Sequence, residues 1–235
     1  MPTHLPCALP QPVRRLSVAA LVLLACASLS GCINSAVMIG KVFGGDPQVK
    51  SEFEQRTGIS MVKEKSKVAV VCTAPSVVTS DFDTLASDLQ EEVTRRMRIR
   101  KMDVASDDDV ISAMNSTMGR FDQDALASAL DDVDYIIHVE VESFSHTDDG
   151  TTKLYRGRAS GIVYAYEVDR GPDAIGGPRA RKVFYQEFKT EYPKSQQPIP
   201  AEQISARVFK QRCVDQLADV IGRTFYDVTT FEMVK

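Results

Sequence analysis

Apolar and polar positions fall along this chain in short, distinct runs, and the runs read as a mixed sheet with helices. Lys67-Val68-Ala69-Val70-Val71-Cys72-Thr73 is a β-branched stretch between a charged segment and Pro75. That is the pattern of a central strand buried on both faces. Leu85, Leu89, Val93 and Met97 then recur every four residues, with Asp88, Glu91, Glu92, Arg95 and Arg96 elsewhere on the turn, which predicts an amphipathic helix. Asp81 or Asp83 can cap its start. Arg98, Arg100 and Lys101 fall in its last turn, where cations favour the helix dipole; they also have the composition of a lipid-headgroup patch.

Met102 to Ala105 predicts a short second strand. Ser106-Asp107-Asp108-Asp109 opens a helix through Val110, Ile111 and Met114, and Asp122 opens another carrying Leu126, Ala127 and Leu130. The acidic triplet invites calcium, but the glycine and distal Glu of a calcium loop are missing, so helix capping accounts for it. Three long strands follow, Tyr135 to His146, Leu154 to Asp169 and Lys182 to Tyr192. Asp148-Asp149-Gly150 makes the first hairpin turn, and Gly171-Pro172 with Gly176-Gly177-Pro178 makes a longer loop. A last helix, about Ala201 to Asp227, has a wide apolar arc of Phe209, Cys213, Leu217, Val220, Ile221 and Phe225. The expected fold class is α/β (α+β): a mixed sheet of about five strands, in the order β-α-β-α-α-β-β-β-α, with helices packed mainly on one face.

The first third of the chain has no such period. Arg14-Arg15, an apolar segment from Leu16 to Ala27, and the small residues Ser28, Ser30 and Gly31 have the architecture of an export signal. The apolar segment is short for a spanning helix, which needs about 20 residues. Leu29-Ser30-Gly31-Cys32 resembles the bacterial lipobox, an aliphatic residue, two small residues and then Cys. That resemblance implies cleavage between Gly31 and Cys32 and acylation (palmitate) of Cys32. Ile33 rather than Asp follows the cysteine, which by the enterobacterial sorting rule implies the outer membrane. The rival readings are an uncleaved single-span anchor and a weaker lipobox ending at Cys26. Expected boundaries are 1–31 for the signal peptide, 32–66 for an acylated and partly docked tether, and 67–235 for the α/β domain. Gly40, Gly44-Gly45-Asp46-Pro47 and Thr57-Gly58 punctuate the tether, and a short helix fits Val49 to Gln55. Fully extended, its ~34 residues reach about 110 Å, although Val42, Phe43, Phe53 and Ile59 point to docking of one part.

Composition narrows the function. Of 235 residues, 43% are hydrophobic, enough for a packed core. The formal charge is −4 for the whole chain, and loss of Arg14 and Arg15 would bring it to −6, so the footprint of a nucleic-acid binder is missing. Outside the signal and Cys32 only Cys72 and Cys213 remain; they can form one disulfide in an oxidising compartment or stay as two buried thiols. No serine sits in a G-x-S-x-G setting, and the Gly-rich turns lack a P-loop lysine and serine. No cofactor, metal site or small-molecule substrate is called for.

Two clusters merit weighing. His138, Glu140 and Glu142 alternate onto one strand face about 6.6 Å apart. One strand cannot converge three ligands on a metal, so a solvated sheet face is expected. Tyr164 and Tyr166 share a face of one strand, and Tyr185, Glu187, Lys189 and Glu191 share a face of the next. Left uncovered, Tyr164, Tyr166, Tyr185 and Glu187 would form a polar–aromatic recognition surface; covered, the tyrosines simply pack along long side chains.

The initial strand, the passage from Ala125 to Ser143 and the three-strand meander together resemble the TolB amino-terminal-like fold over about 67–227. That fold is shared by the curli secretion lipoprotein and the lipoprotein activator of penicillin-binding proteins. The resemblance implies topology and transfers no functional residue. The expected function is a membrane-anchored periplasmic lipoprotein, not an enzyme, acting as a binding or accessory module for an envelope complex of secretion, transport or cell-wall synthesis. The alternatives are a subunit of an oligomeric outer-membrane export channel of the curli type and, last, an enzyme using His138 and nearby carboxylates.

Overall fold

The computed structural model describes residues 48–80, 82–148, 151–171, 177–194 and 197–233. The signal peptide, the cleavage site at Gly31 and Cys32, and the tether as far as residue 47 lie outside the described residues. The described residues divide into two units, Gln48 with 229–233 in one and residues 49–228 in the other. In the first, the backbone N–H of Thr229 donates to Glu232 Oε2 at 3.0 Å, at the start of a one-turn helix, Thr230–Met233.

The second unit holds a six-stranded sheet. Its strands are β2 (Lys67–Thr73), β3 (Asp103–Val104), β4 (Tyr135–Thr147), β5 (Leu154–Asp169), β6 (Arg179–Tyr192) and β7 (Ile199–Pro200), with β1 (Gln48–Val49) paired separately to β8 (Val228–Thr229). The main sheet runs β3-β2-β4-β5-β6, and β7 pairs with β5. β2 is parallel to both β3 and β4, while β4, β5 and β6 form an antiparallel meander. The mixed α+β class and the main element order therefore match the sequence pattern.

Alternation along β2 and β4 feeds two cores. Val68, Val70 and Cys72 of β2, with Tyr135, Ile137, Val139 and Val141 of β4, point to the face covered by α3 (Leu85–Ile99) and α6 (Ala206–Arg223). Ala69, Val71 and Ile136 point to the opposite face. There α4 (Asp107–Ser116) and α5 (Gln123–Ala129) cover them with Val110, Ala113, Leu126 and Ala127. Burial of each such Val, Leu or Ile contributes on the order of 1.5–3 kcal/mol. The long helices thus share one face as expected, and the short pair covers the other over β2 and over the end of the meander at Ile136, Val168 and Ala180.

Local chemistry sets the helix ends. Leu85, Leu89, Val93 and Met97 of α3 are fully buried. Its N-cap is Thr84, which makes no side-chain capping bond, rather than Asp81 or Asp83; the Thr84 hydroxyl instead donates to Asp88 at 2.9 Å. Ser106 Oγ accepts from the Asp109 N–H, and Asp122 Oδ1 accepts from both Asp124 and Ala125, so both caps read from the sequence are made. Arg98 pairs with Asp107 and donates to the Ala105 carbonyl, and the Arg100 guanidinium lies 5.2 Å from the Tyr226 ring. Arg98 and Arg100 at the end of α3 are thus occupied by their own domain.

The docked part of the 32–66 segment is integral to this unit. A short helix α1 (Glu52–Thr57) runs two residues past the stretch expected at Val49 to Gln55. It buries Phe53 completely against Tyr135, Phe184 and Phe225, at ring distances of 5.9, 5.5 and 5.8 Å. Ser51 Oγ caps it through the Glu54 N–H, and Gly58 ends it at φ 78°, the left-handed conformation that glycine takes without strain. Lys50 and Lys63 hold the Glu54 carboxylate, the Lys50 hydrogen bond first, and lower its pKa.

Candidate functional site: a polar–aromatic sheet face

α4 and α5 cover one face of the sheet over β2 and at the Val168/Ala180 end of the meander, and the rest of the meander on that face, from Tyr164 and Tyr185 onward, carries no helix. His138 stands in register with Tyr164, and Tyr164 with Tyr185. Directly opposed residues share a face, so these three side chains form one row across β4, β5 and β6. Tyr166 lies one step along β5, its ring centroid 6.1 Å from that of Tyr164. Lys182, opposite Tyr166, sets its ammonium 5.2 Å from the Tyr164 ring and 6.0 Å from the Tyr185 ring, the geometry of a cation–π contact. Tyr185 is 61% exposed, Glu187 is exposed, and Tyr164 and Tyr166 are half-buried. The four residues read from the sequence as a binding face are therefore on one face, with Lys182 bridging two of them.

The end of the row nearest β2 is closed, which corrects the expectation of a solvated face at His138. His138 is 6% exposed, whereas Glu140 and Glu142 are exposed. The Phe121 ring stacks on the imidazole at 3.7 Å with planes 7° apart, and Thr73 Oγ1 shares a 2.8 Å hydrogen bond with Nε2. Burial lowers the His138 pKa to about 4, so the ring is neutral at pH 7. The phenols of Tyr164 and Tyr166 are shifted up, by burial first and then by nearby groups that include the Glu140 carboxylate. At neutral pH His138, Tyr164 and Tyr166 thus carry no charge, and the Lys182 side chain stands over two of the rings.

Phe121 reaches this position from the loop that opens α5. Arg170, just past β5, clamps the other end of that helix: its guanidinium donates to the carbonyls of Val133 at 2.8 Å, Ala127 at 3.2 Å, and Leu130. The sequence reading missed Phe121, Thr73, Lys182 and Arg170. A signal for Phe121 existed, since an apolar residue just before an Asp N-cap, with Leu126 four residues into the helix, has the hydrophobic-staple pattern. Nothing local announces that Arg170 closes a helix 40 residues upstream.

Other sequence readings find their places. Cys72 and Cys213 are both free and buried, and burial shifts both thiols up, that of Cys213 to about 12. Among the described residues, no group of three or more His, Cys, Asp or Glu side chains is placed to hold a metal ion. Among them also, no helix is long and apolar enough to cross a membrane.

No family model matches the chain, and no curated protein does. Solved structures do resemble it. A hypothetical protein from Chlamydia trachomatis is 12% identical with a TM-score of 0.41, the match covering 68% of this chain and 97% of that one. The PelC dodecamer from Paraburkholderia phytofirmans is 8% identical with a TM-score of 0.38, over 77% and 96% of the two chains. A minor lipoprotein from Acinetobacter baumannii is 15% identical with a TM-score of 0.31, over 68% and 90%.

Proposed function

We propose that this chain is a lipid-anchored protein of the outer membrane, facing the periplasm, without catalytic activity. Its TolB-like domain binds another envelope component in secretion, transport or cell-wall synthesis. Support for the anchor comes from Leu29-Ser30-Gly31-Cys32. The observation that carries the binding role is the pair of the exposed Tyr185 and the half-buried Tyr164 under Lys182, beside Tyr166 and Glu187. An aromatic surface with a charged rim is the composition of a recognition site. Beside it His138 is neutral, capped by Phe121, and hydrogen-bonded to a threonine rather than a carboxylate, which disfavours an acid–base role.

The test is a photo-crosslinking residue placed at Lys182 in growing cells, with Ile111, 51% exposed, as the control position. The expected result is an adduct heavier than two copies of the chain from Lys182 and none from Ile111. Equal adducts from both positions, or none from Lys182, would remove the binding face. Full biological activity of a His138→Phe variant is expected as well, and its loss with folding intact would point back to an enzyme.

A further inference from the structure

β6 is an edge strand of the main sheet, and the direction of its backbone groups can be followed residue by residue. The Val168 N–H bonds to Asp134, at the start of β4. Its opposite number on β6, Ala180, therefore turns its own N–H outward, where Asp124 accepts it at 2.8 Å. Past the bulge at Ala165/Tyr166 the outward positions are Tyr185, Glu187, Lys189 and Glu191. The Tyr185 carbonyl accepts from Arg56 at 3.2 Å. Beyond it, among the described residues, nothing meets the outward N–H and C=O groups of Glu187, Lys189 and Glu191. A row of this kind is a template for one more strand.

We infer that the occupant is a second copy of this chain, its β6 antiparallel to the first about a two-fold axis at Phe188. Three features select that partner and that register. Glu187 then faces Lys189 of the second copy, and Lys189 faces its Glu187, so the two-fold makes two opposite-charge pairs; Tyr185 faces Glu191 twice. An axis at Glu187 sets Glu187 against itself, and one at Lys189 sets Lys189 against itself and Glu187 against Glu191; like charges directly opposite are unfavourable. An axis at Thr190 also pairs Lys189 with Glu191, but it runs the strand into Pro193, which has no N–H to give.

The third feature lies on the face toward α6. Gln186 Oε1 is buried there without a hydrogen-bond donor, an uncommon and costly state for an amide oxygen. With the axis at Phe188, Gln186 stands opposite Thr190 of the second copy, whose hydroxyl is a donor. The axis at Thr190 leaves Gln186 beyond the end of the paired strand. Self-pairing therefore joins two sheets edge to edge and makes one continuous polar–aromatic face, with Tyr185 near its centre.

The test uses the full chain in detergent micelles, with sedimentation read alongside cross-linking. The wild-type chain should sediment as a dimer. Glu187→Lys sets two lysines against two lysines and should raise the dimer dissociation constant at least about tenfold. Adding Lys189→Glu to that variant restores the complementarity and should restore the dimer. A Glu187→Cys/Lys189→Cys chain under mild oxidation should give a reducible cross-linked dimer, since opposed hydrogen-bonded positions lie about 5.5 Å apart at Cα; Glu187→Cys alone should give no band beyond that of the wild-type chain. A monomeric wild-type chain, an unchanged dimer in Glu187→Lys, or cross-linking by Glu187→Cys alone would overturn the inference. Both residues substituted in these variants, Glu187 and Lys189, are exposed, and circular dichroism of each variant separates lost pairing from lost fold.

Discussion

Phe121 lies on His138 with ring centroids 3.7 Å apart and planes 7° from parallel. This contact extends the cover made by α4 and α5 as far as His138, and it turns a histidine on a polar-looking strand into a core residue. The consequence is a titration with a definite sign. The folded-state pKa of His138 is about 4, below the ordinary value of 6.5. The unfolded chain therefore binds the proton more readily between those limits, and stability falls as pH drops from about 6.5 towards 4. The size of the effect is on the order of 3 kcal/mol. Urea midpoints at pH 7 and pH 5 should differ in the wild type, and the difference should shrink in His138→Phe; an NMR titration of the imidazole that shows an ordinary value would refute the burial.

Phe53→Ala should cost about 3–5 kcal/mol, because the ring is fully buried among three other aromatics. Val77→Ala, at a side chain 78% exposed, should change stability by no more than about 0.5 kcal/mol. Urea unfolding of the two variants checks this. Equal costs would mean that residues 49–66 are a loose tether after all.

Gly157 and Cys213 occupy one space. A Cβ on Gly157 would come within 2.2 Å of Cys213 Sγ and 3.3 Å of its Cβ. Gly157→Ala should destabilise by about 1–3 kcal/mol, and Cys213→Ala in the same chain should recover part of it. A double-mutant cycle on denaturation midpoints measures the coupling; simple additivity would contradict the packing.

Cys72 and Cys213 should resist alkylation in the folded protein at pH 8 and react once urea is added. Both are buried and both thiols are held protonated by that burial. Peptide mapping after iodoacetamide treatment reads each site separately. Native-state labelling of either one would show that its surroundings open.

Patterns of period two and period four made the core legible without the structure. Val68, Val70 and Cys72 against Leu85, Leu89 and Val93 follow from alternation and helical spacing alone. The face carrying Tyr164, Tyr166, Tyr185 and Glu187 was legible in the same way, since cross-strand neighbours inherit their faces from the strands. What was not legible depended on contacts between distant segments. His138 reads as exposed because Glu140 and Glu142 follow it, yet Phe121 arrives from another element and buries it. Phe53 reads as part of a tether because glycines and charges surround it, yet three rings from β4, β6 and the end of α6 receive it. Periodicity records which side of an element a residue takes, not how far the covering element extends.

The most direct measurement addresses the claim that the domain works from a membrane surface through Cys32. Cells expressing the wild-type chain or Cys32→Ser are labelled with palmitate and fractionated. The wild-type chain should take up label, lose residues 1–31 and sediment with the outer membrane; Cys32→Ser should remain unlabelled and keep its precursor mass. A wild-type chain that is soluble and unlabelled, or a Cys32→Ser chain that still carries label, would contradict the account.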